Sequence, residues 1–136
     1  MNILKVSENT HSWSSFVHYK LVDDTTNTLL SSLRIHREFF TDKRRRELDF
    51  PIEGDIYYLD NFGTESRYRR KGYGRELLNL VKEKMKGKFV YLIVSSSCPY
   101  DVTDKQLVEF YNSVGFKVHE KKDYYSYLTW MVLDNR

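Results

Sequence analysis

The sequence predicts an α/β domain built on a mixed β-sheet, and three observations carry that expectation. Residues 16–22 and 28–35 have strand composition and flank the polar turn Asp23-Asp24-Thr25-Thr26-Asn27, as an antiparallel hairpin would. A strand candidate at 56–64 leads through a glycine-containing loop into an amphipathic helix, and that helix into the apolar run 89–95. A second helical pattern then precedes two strand-like runs, 116–119 and 125–133. The order is ββ(β)-β-α-β-α-β-β, with a right-handed parallel crossover expected for the strand–helix–strand unit at 55–95.

Each element has a local reason. Residues 3–6 add a short strand before the hairpin, and residues 38–54, with Pro51, read as a loop or one short helix. The first long helix follows Gly72 and Gly74 and carries Leu77, Leu78, Val81 and Met85 on one face. Gly87 lies just past its last turn, and Lys82, Lys84 and Lys86 suit the negative end of its dipole. The nearly continuous apolar run 89–95 is what a buried parallel strand needs. Thr103 is the expected N-cap of the second long helix, Leu107, Phe110, Tyr111 and Val114 form its stripe, and Gly115 closes it.

At 136 residues the chain is read as a single domain spanning 1–136, because half of it would hardly bury a core. A hydrophobic fraction of 40% with 30% charged residues excludes a disordered chain. No apolar run approaches the roughly 18 residues a bilayer requires. No charged segment leads into an apolar stretch at the start, so export is not expected and the cytoplasm is the expected location. Cys98 is the only cysteine, which excludes an internal disulfide and a cysteine-rich zinc site. His11, His18, His36 and His119 lack ligand spacing, so no metal is assigned.

The net charge of +3 implies no polyanionic partner by itself, but its distribution is uneven. Residues 34–46 hold six Lys/Arg against two Asp/Glu, and residues 65–75 hold five against one. The second of these is the most informative stretch of the chain: Tyr68-Arg69-Arg70-Lys71-Gly72-Tyr73-Gly74-Arg75, between a strand and a helix. Two glycines let the backbone approach a ligand closely, and the unpaired amides of a helix start favour an anion. Arg69, Arg70, Lys71 and Arg75 add positive potential, so a diphosphate is the natural guest; a glycine turn with a solvated basic face is the plainer alternative. A dinucleotide fingerprint is excluded by Leu77 where a small residue belongs, and a P-loop by Gly74-Arg75-Glu76.

Arg69-x-x-Gly72-x-Gly74 resembles the (Arg/Gln)-x-x-Gly-x-(Gly/Ala) signature with which GNAT-type N-acetyltransferases grip the pyrophosphate of coenzyme A. Further on, Phe110-Tyr111-Asn112-Ser113-Val114-Gly115-Phe116 is similar to that family's Tyr-x-x-x-Gly-Phe. The resemblance covers residues 55–133 well and residues 16–37 by strand order alone. It implies a GNAT-like fold, acetyl-CoA as co-substrate and direct acetyl transfer to a primary amine, on a protein lysine, a protein N-terminus or a small molecule. In this reading the strand ending Phe62-Gly63-Thr64 pairs with the pantetheine arm, and an amide near Phe62 polarises the thioester carbonyl. Gly72, Tyr73 and Gly74, with Lys71, hold the pyrophosphate, and Arg69, Arg70 or Arg75 reaches the 3′-phosphate. Tyr111 stands where the family's tyrosine protonates the departing thiolate, the alternative being a core aromatic. Asp60 is the candidate general base, with Asn61 and Tyr58 competing and a solvated strand-end carboxylate as the plainer reading. A bulge, common at this point in the family, would break the alternation that sets Asp60, Phe62 and Thr64 on one face.

Two departures qualify the acceptor side. About nine residues separate Val6 from Phe16, too few for the two helices that normally form one wall of the acceptor site. Asp104 stands where an asparagine often precedes the tyrosine, and capping the helix start is its simpler role. The basic segment 43–46 would face an acidic acceptor or nucleic acid if the insertion at 37–54 replaced the missing wall; a flexible basic loop is the alternative. A non-catalytic GNAT-fold module contacting a protein or nucleic acid is therefore the second functional reading. Tyr124, Tyr125 and Tyr127 suit an acceptor pocket, a homodimer interface or core packing. Cys98 is read as a passive thiol. Small phage-encoded acetyltransferases are similar in build.

Overall fold

The computed structural model describes residues 2–10, 15–64, 68–69, 71–95, 102–120 and 128–136. The fold is mixed α+β, as expected, with a seven-stranded mixed sheet and three helices among the described residues. In chain order the elements are β1 (Asn2–Thr10), β2 (Ser15–Asp23), β3 (Thr28–Glu38), α1 (Asp42–Glu47) and β4 (Ile56–Thr64). There follow α2 (Tyr73–Lys84), β5 (Phe89–Ile93), α3 (Asp104–Ser113), β6 (Lys117–His119) and β7 (Trp130–Asp134). No helix among the described residues is long and apolar enough to cross a membrane. His11, Arg70, Cys98, Tyr124, Tyr125 and Tyr127 lie outside the described residues. The chain divides into two compact units, each assembled from two stretches: 1–37 with 58–86, and 38–57 with 87–136.

The first unit orders its strands β1-β2-β3-β4. β1 is longer than the short strand expected, because it pairs antiparallel with β2 along its whole length, from Asn2↔Asp23 to Thr10↔Ser15. The polar residues Ser7 and Glu8 are exposed there, so a backbone ladder rather than side-chain burial extends the strand. β2 and β3 form the expected hairpin, with Phe16↔His36 and His18↔Arg34 among its pairs. Its turn is closed by Asp23, whose Oδ1 accepts from the amides of Thr25 and Thr26, and by Asn27 at φ 57°. One sheet face supplies Leu21, Leu33 and Ile35 to the core, and α2 contributes Leu77, Leu78 and Val81, all buried. Asn2 Nδ2 donates to Glu76 Oε2 at 3.0 Å, tying the first turn of α2 to the sheet edge.

The second unit orders its strands β5-β7-β6, both pairs antiparallel. The last strand begins at Trp130, later than expected, with Thr129 O accepting from Val94 N as the ladder runs out. Phe50 centres an aromatic core, its ring 5.1 Å from both Phe89 and Tyr91 and 5.2 Å from His119. Imidazole Nε2 of His119 meets the carbonyl of Leu48 at 2.6 Å, which places this histidine in packing.

The basic segment 43–46 lies on α1, whose N-cap Thr41 accepts from the amide of Arg44. Arg44 pairs with Glu47 at 3.4 Å. Arg45 is turned inward: its Nη1 donates to the carbonyls of Pro51, Ile52 and Gly54 at 3.0, 3.2 and 2.8 Å. The one cation thus holds the turn that returns the chain to β4. Arg45→Ala is expected to lower unfolding free energy by about 1–2 kcal/mol, since charged hydrogen bonds at a half-exposed site are lost. Arg45→Lys should recover only part of it, a point charge lacking the fork geometry. Denaturant titration of the three proteins checks both statements.

Candidate active site

The C-terminal half of β4 departs from a regular strand. Asn61 has φ 55°, left-handed backbone that asparagine tolerates better than most residues. This irregularity breaks the two-residue alternation between Asp60 and Phe62, so the three residues expected to share a face are not set there by simple counting. With its amide oxygen facing the guanidinium, Asn61 accepts from Arg34 Nε at 3.1 Å and from Arg34 Nη2. Arg34 in turn lies over the Phe16 ring, 5.0 Å from its centroid.

Beyond the irregularity the strand end is held by side chains. Ser31, a buried polar residue on β3, donates its hydroxyl to Gly63 O at 2.8 Å and lies 3.1 Å from Thr64 Oγ1. Arg69 Nε donates to Thr64 O at 3.2 Å, so the first residue of the Arg-x-x-Gly-x-Gly motif closes the loop onto the strand it follows. Lys71 Nζ sits 5.9 Å from the Tyr68 ring, and Tyr68 meets Tyr73 edge-on at 6.3 Å.

Gly72 is the N-cap of α2 at φ 82°, ψ 8°, with no side chain capping the helix. The first helical bond runs from Glu76 N to Gly72 O, so the amides of the preceding turn have no intrahelical acceptor. A Cβ built on Gly72 or on Gly63 meets nothing within 4 Å, and both glycines face open space. An uncapped helix start beside open space, with Lys71 and Arg75 exposed around it, fits a phosphate group.

Asp60 is not a solvated strand-end carboxylate. Its Oδ1 lies 2.8 Å from Nε2 of His36 on β3, and the two side chains are 32% and 23% exposed. The His36 ring is flanked by Phe16 at 5.3 Å and Tyr58 at 6.0 Å between centroids. Tyr58, which competed with Asp60 in the sequence, therefore belongs to the same cluster. Sequence reading gave His36, Arg34 and Ser31 no place in the site, since their relation to β4 depends on which strands pair. The one readable signal was an imidazole, a guanidinium and a hydroxyl on a strand otherwise rich in leucine.

Tyr111 belongs to the second unit, on α3. Thr103 caps that helix with a capping box, its Oγ1 accepting from Gln106 N while Gln106 Oε1 accepts from Thr103 N. Asp104 is then the first helical residue and not the cap. Tyr111 is 7% exposed, with its ring edge-on to Phe116 at 5.9 Å, and Gly115 takes φ 106° where the helix ends. Burial pushes its phenol up to about 12.

The Acetyltransferase (GNAT) family matches residues 7–116. A Bacillus subtilis N-acetyltransferase, YlbP, solved with coenzyme A, superposes with a TM-score of 0.60 at 16% identity, covering 88% of this chain and 68% of its own. A bacterial toxin superposes at 0.64 with 13% identity, covering 99% and 92%. An aminoglycoside 6′-N-acetyltransferase with coenzyme A superposes at 0.57 with 17% identity, covering 89% and 73%. At these identities the likeness is one of fold. No curated protein matches the sequence.

Proposed function

The chain belongs to the GNAT acetyltransferase family, and on that premise we propose that it is an acetyl-CoA-dependent N-acetyltransferase that transfers directly to a primary amine. The observation that carries the reading is the uncapped glycine turn at Gly72, which follows the irregular end of β4 and carries the family's motif residues. Bound there, acetyl-CoA supplies an acetyl group activated as a thioester. Gly72, Tyr73 and Gly74 offer backbone amides to its diphosphate, and Lys71 and Arg75 offer positive charge; Arg70 is placed with them by sequence alone. The backbone of Phe62, Gly63 and Thr64 takes the pantetheine arm, an amide near Phe62 stabilising the oxyanion. Arg69 keeps that strand end in place through Thr64 O. On the acceptor side Asp60 supplies the carboxylate of the base function, and Tyr111 donates to the leaving sulfur.

Isothermal calorimetry with acetyl-CoA, followed by an acetyl-transfer assay over a panel of amines, tests this. Binding of micromolar strength, about −8 kcal/mol, with transfer to at least one amine is the expected result. Binding without transfer would leave a CoA-holding module; no binding at millimolar concentration would remove the cradle.

A further inference from the structure

We propose that the base of this enzyme is the imidazole of His36, with Asp60 as the residue that positions it, so that the two act as a dyad on the acceptor amine. The inference rests on the acetyltransferase reading above and goes one step past it, to a residue on a different strand from the motif.

The geometry argues for this division of labour. A carboxylate can only accept, so the hydrogen between Asp60 Oδ1 and His36 Nε2 belongs to the imidazole, which fixes the tautomer with its lone pair on Nδ1. Among the described residues Nδ1 makes no hydrogen bond. Phe16 and Tyr58 flank the ring and restrict its rotation. The pair is partly exposed, so an acceptor can reach it, and Asp60 stands two residues before Phe62. As a side-chain type, an imidazole is the common general base, with a nitrogen lone pair to take the proton of an amine. The other titratable or charged groups that pairing and alternation set on this face are Lys5 of β1, His18 and Lys20 of β2, Arg34 and Glu38 of β3 and Tyr58 of β4. His18 is held below its usual value by burial and by the charges of Lys20 and Arg34.

The protons balance. His36 Nδ1 takes one proton from the alkylammonium, and the neutral nitrogen forms the new N–C bond as the C–S bond breaks. The nitrogen loses a second proton, the thiolate gains one, and the proton on His36 passes to water. One proton is released per turnover.

The test compares two amines of similar shape, with acetyl-CoA as donor: benzylamine, which is protonated at pH 7, and aniline, which is neutral there. His36→Gln should lower kcat/KM for benzylamine about a hundredfold and for aniline less than about threefold. Asp60→Asn should lower benzylamine turnover while sparing aniline. Equal losses with both amines, or no loss with either, would overturn the dyad and leave the acetyltransferase standing. Failure of the wild-type protein to acetylate any amine of the panel, benzylamine and aniline among them, would overturn the acetyltransferase reading itself, and the inference with it. Unaltered acetyl-CoA affinity by calorimetry separates a folded His36→Gln protein from a damaged one.

Discussion

Gly72→Glu is expected to eliminate measurable acetyl-CoA binding, with Kd weakened at least about a hundredfold. Two effects act in the same direction. Gly72 sits at φ 82°, where an L side chain costs about 1 kcal/mol, so the cap itself is disfavoured. The larger effect is electrostatic. The built Cβ points into open space, so nothing stops the new carboxylate from entering the region where the diphosphate is proposed to lie. Like charges at about 4 Å repel by several kcal/mol at a protein surface. Gly72→Asn separates the two effects, because asparagine tolerates left-handed backbone and carries no charge. That variant should keep binding within about tenfold of the original. Calorimetry on both reads the answer, and equal affinities for glycine and glutamate would mean that the turn touches no anion.

Much of this cradle was legible because its determinants are local. A glycine at a helix start, a strand before it and cations around it are read from consecutive residues, although the helix begins at Tyr73 and Gly74 lies inside its first turn. The same holds for Thr103, whose capping box is complete within four residues. What the sequence concealed depends on pairing. His36 and Asp60 are 24 positions apart, and only the alignment of β3 with β4 joins them. Ser31 is similar: a hydroxyl on an apolar strand names no partner until Gly63 O is brought to it. Within the basic segment 43–46 the role of Arg45 was hidden, because composition cannot distinguish a guanidinium aimed at solvent from one capping three carbonyls. The length of β1 was hidden too, since an edge strand with exposed polar residues is held by its ladder and not by its pattern.

Tyr111→Phe is expected to lower kcat by about a hundredfold while leaving acetyl-CoA affinity within about twofold. The substitution removes one oxygen and keeps the ring, so the edge-on packing against Phe116 survives and the two possible roles of this residue come apart. As a core aromatic, Tyr111 would be replaced by phenylalanine at little cost in rate. As the group facing the leaving sulfur, it would lose the hydrogen bond that stabilises negative charge on that atom. Burial raises the phenol to about 12, which keeps it protonated throughout the working range but also makes it a weaker acid than a solvated tyrosine. In the proposed role its contribution would be a hydrogen bond to the developing thiolate. The same shift has a sign in stability. A group whose folded value exceeds its unfolded value of about 10 stabilises the fold fully below pH 10, and that contribution drains away as pH rises towards 12. Wild-type protein should accordingly lose stability between pH 10 and 12, and Tyr111→Phe should lose less. A variant with full turnover and the same alkaline protection would place Tyr111 in the core alone, whereas a slow variant with that protection and intact acetyl-CoA binding would assign the phenol to the chemistry.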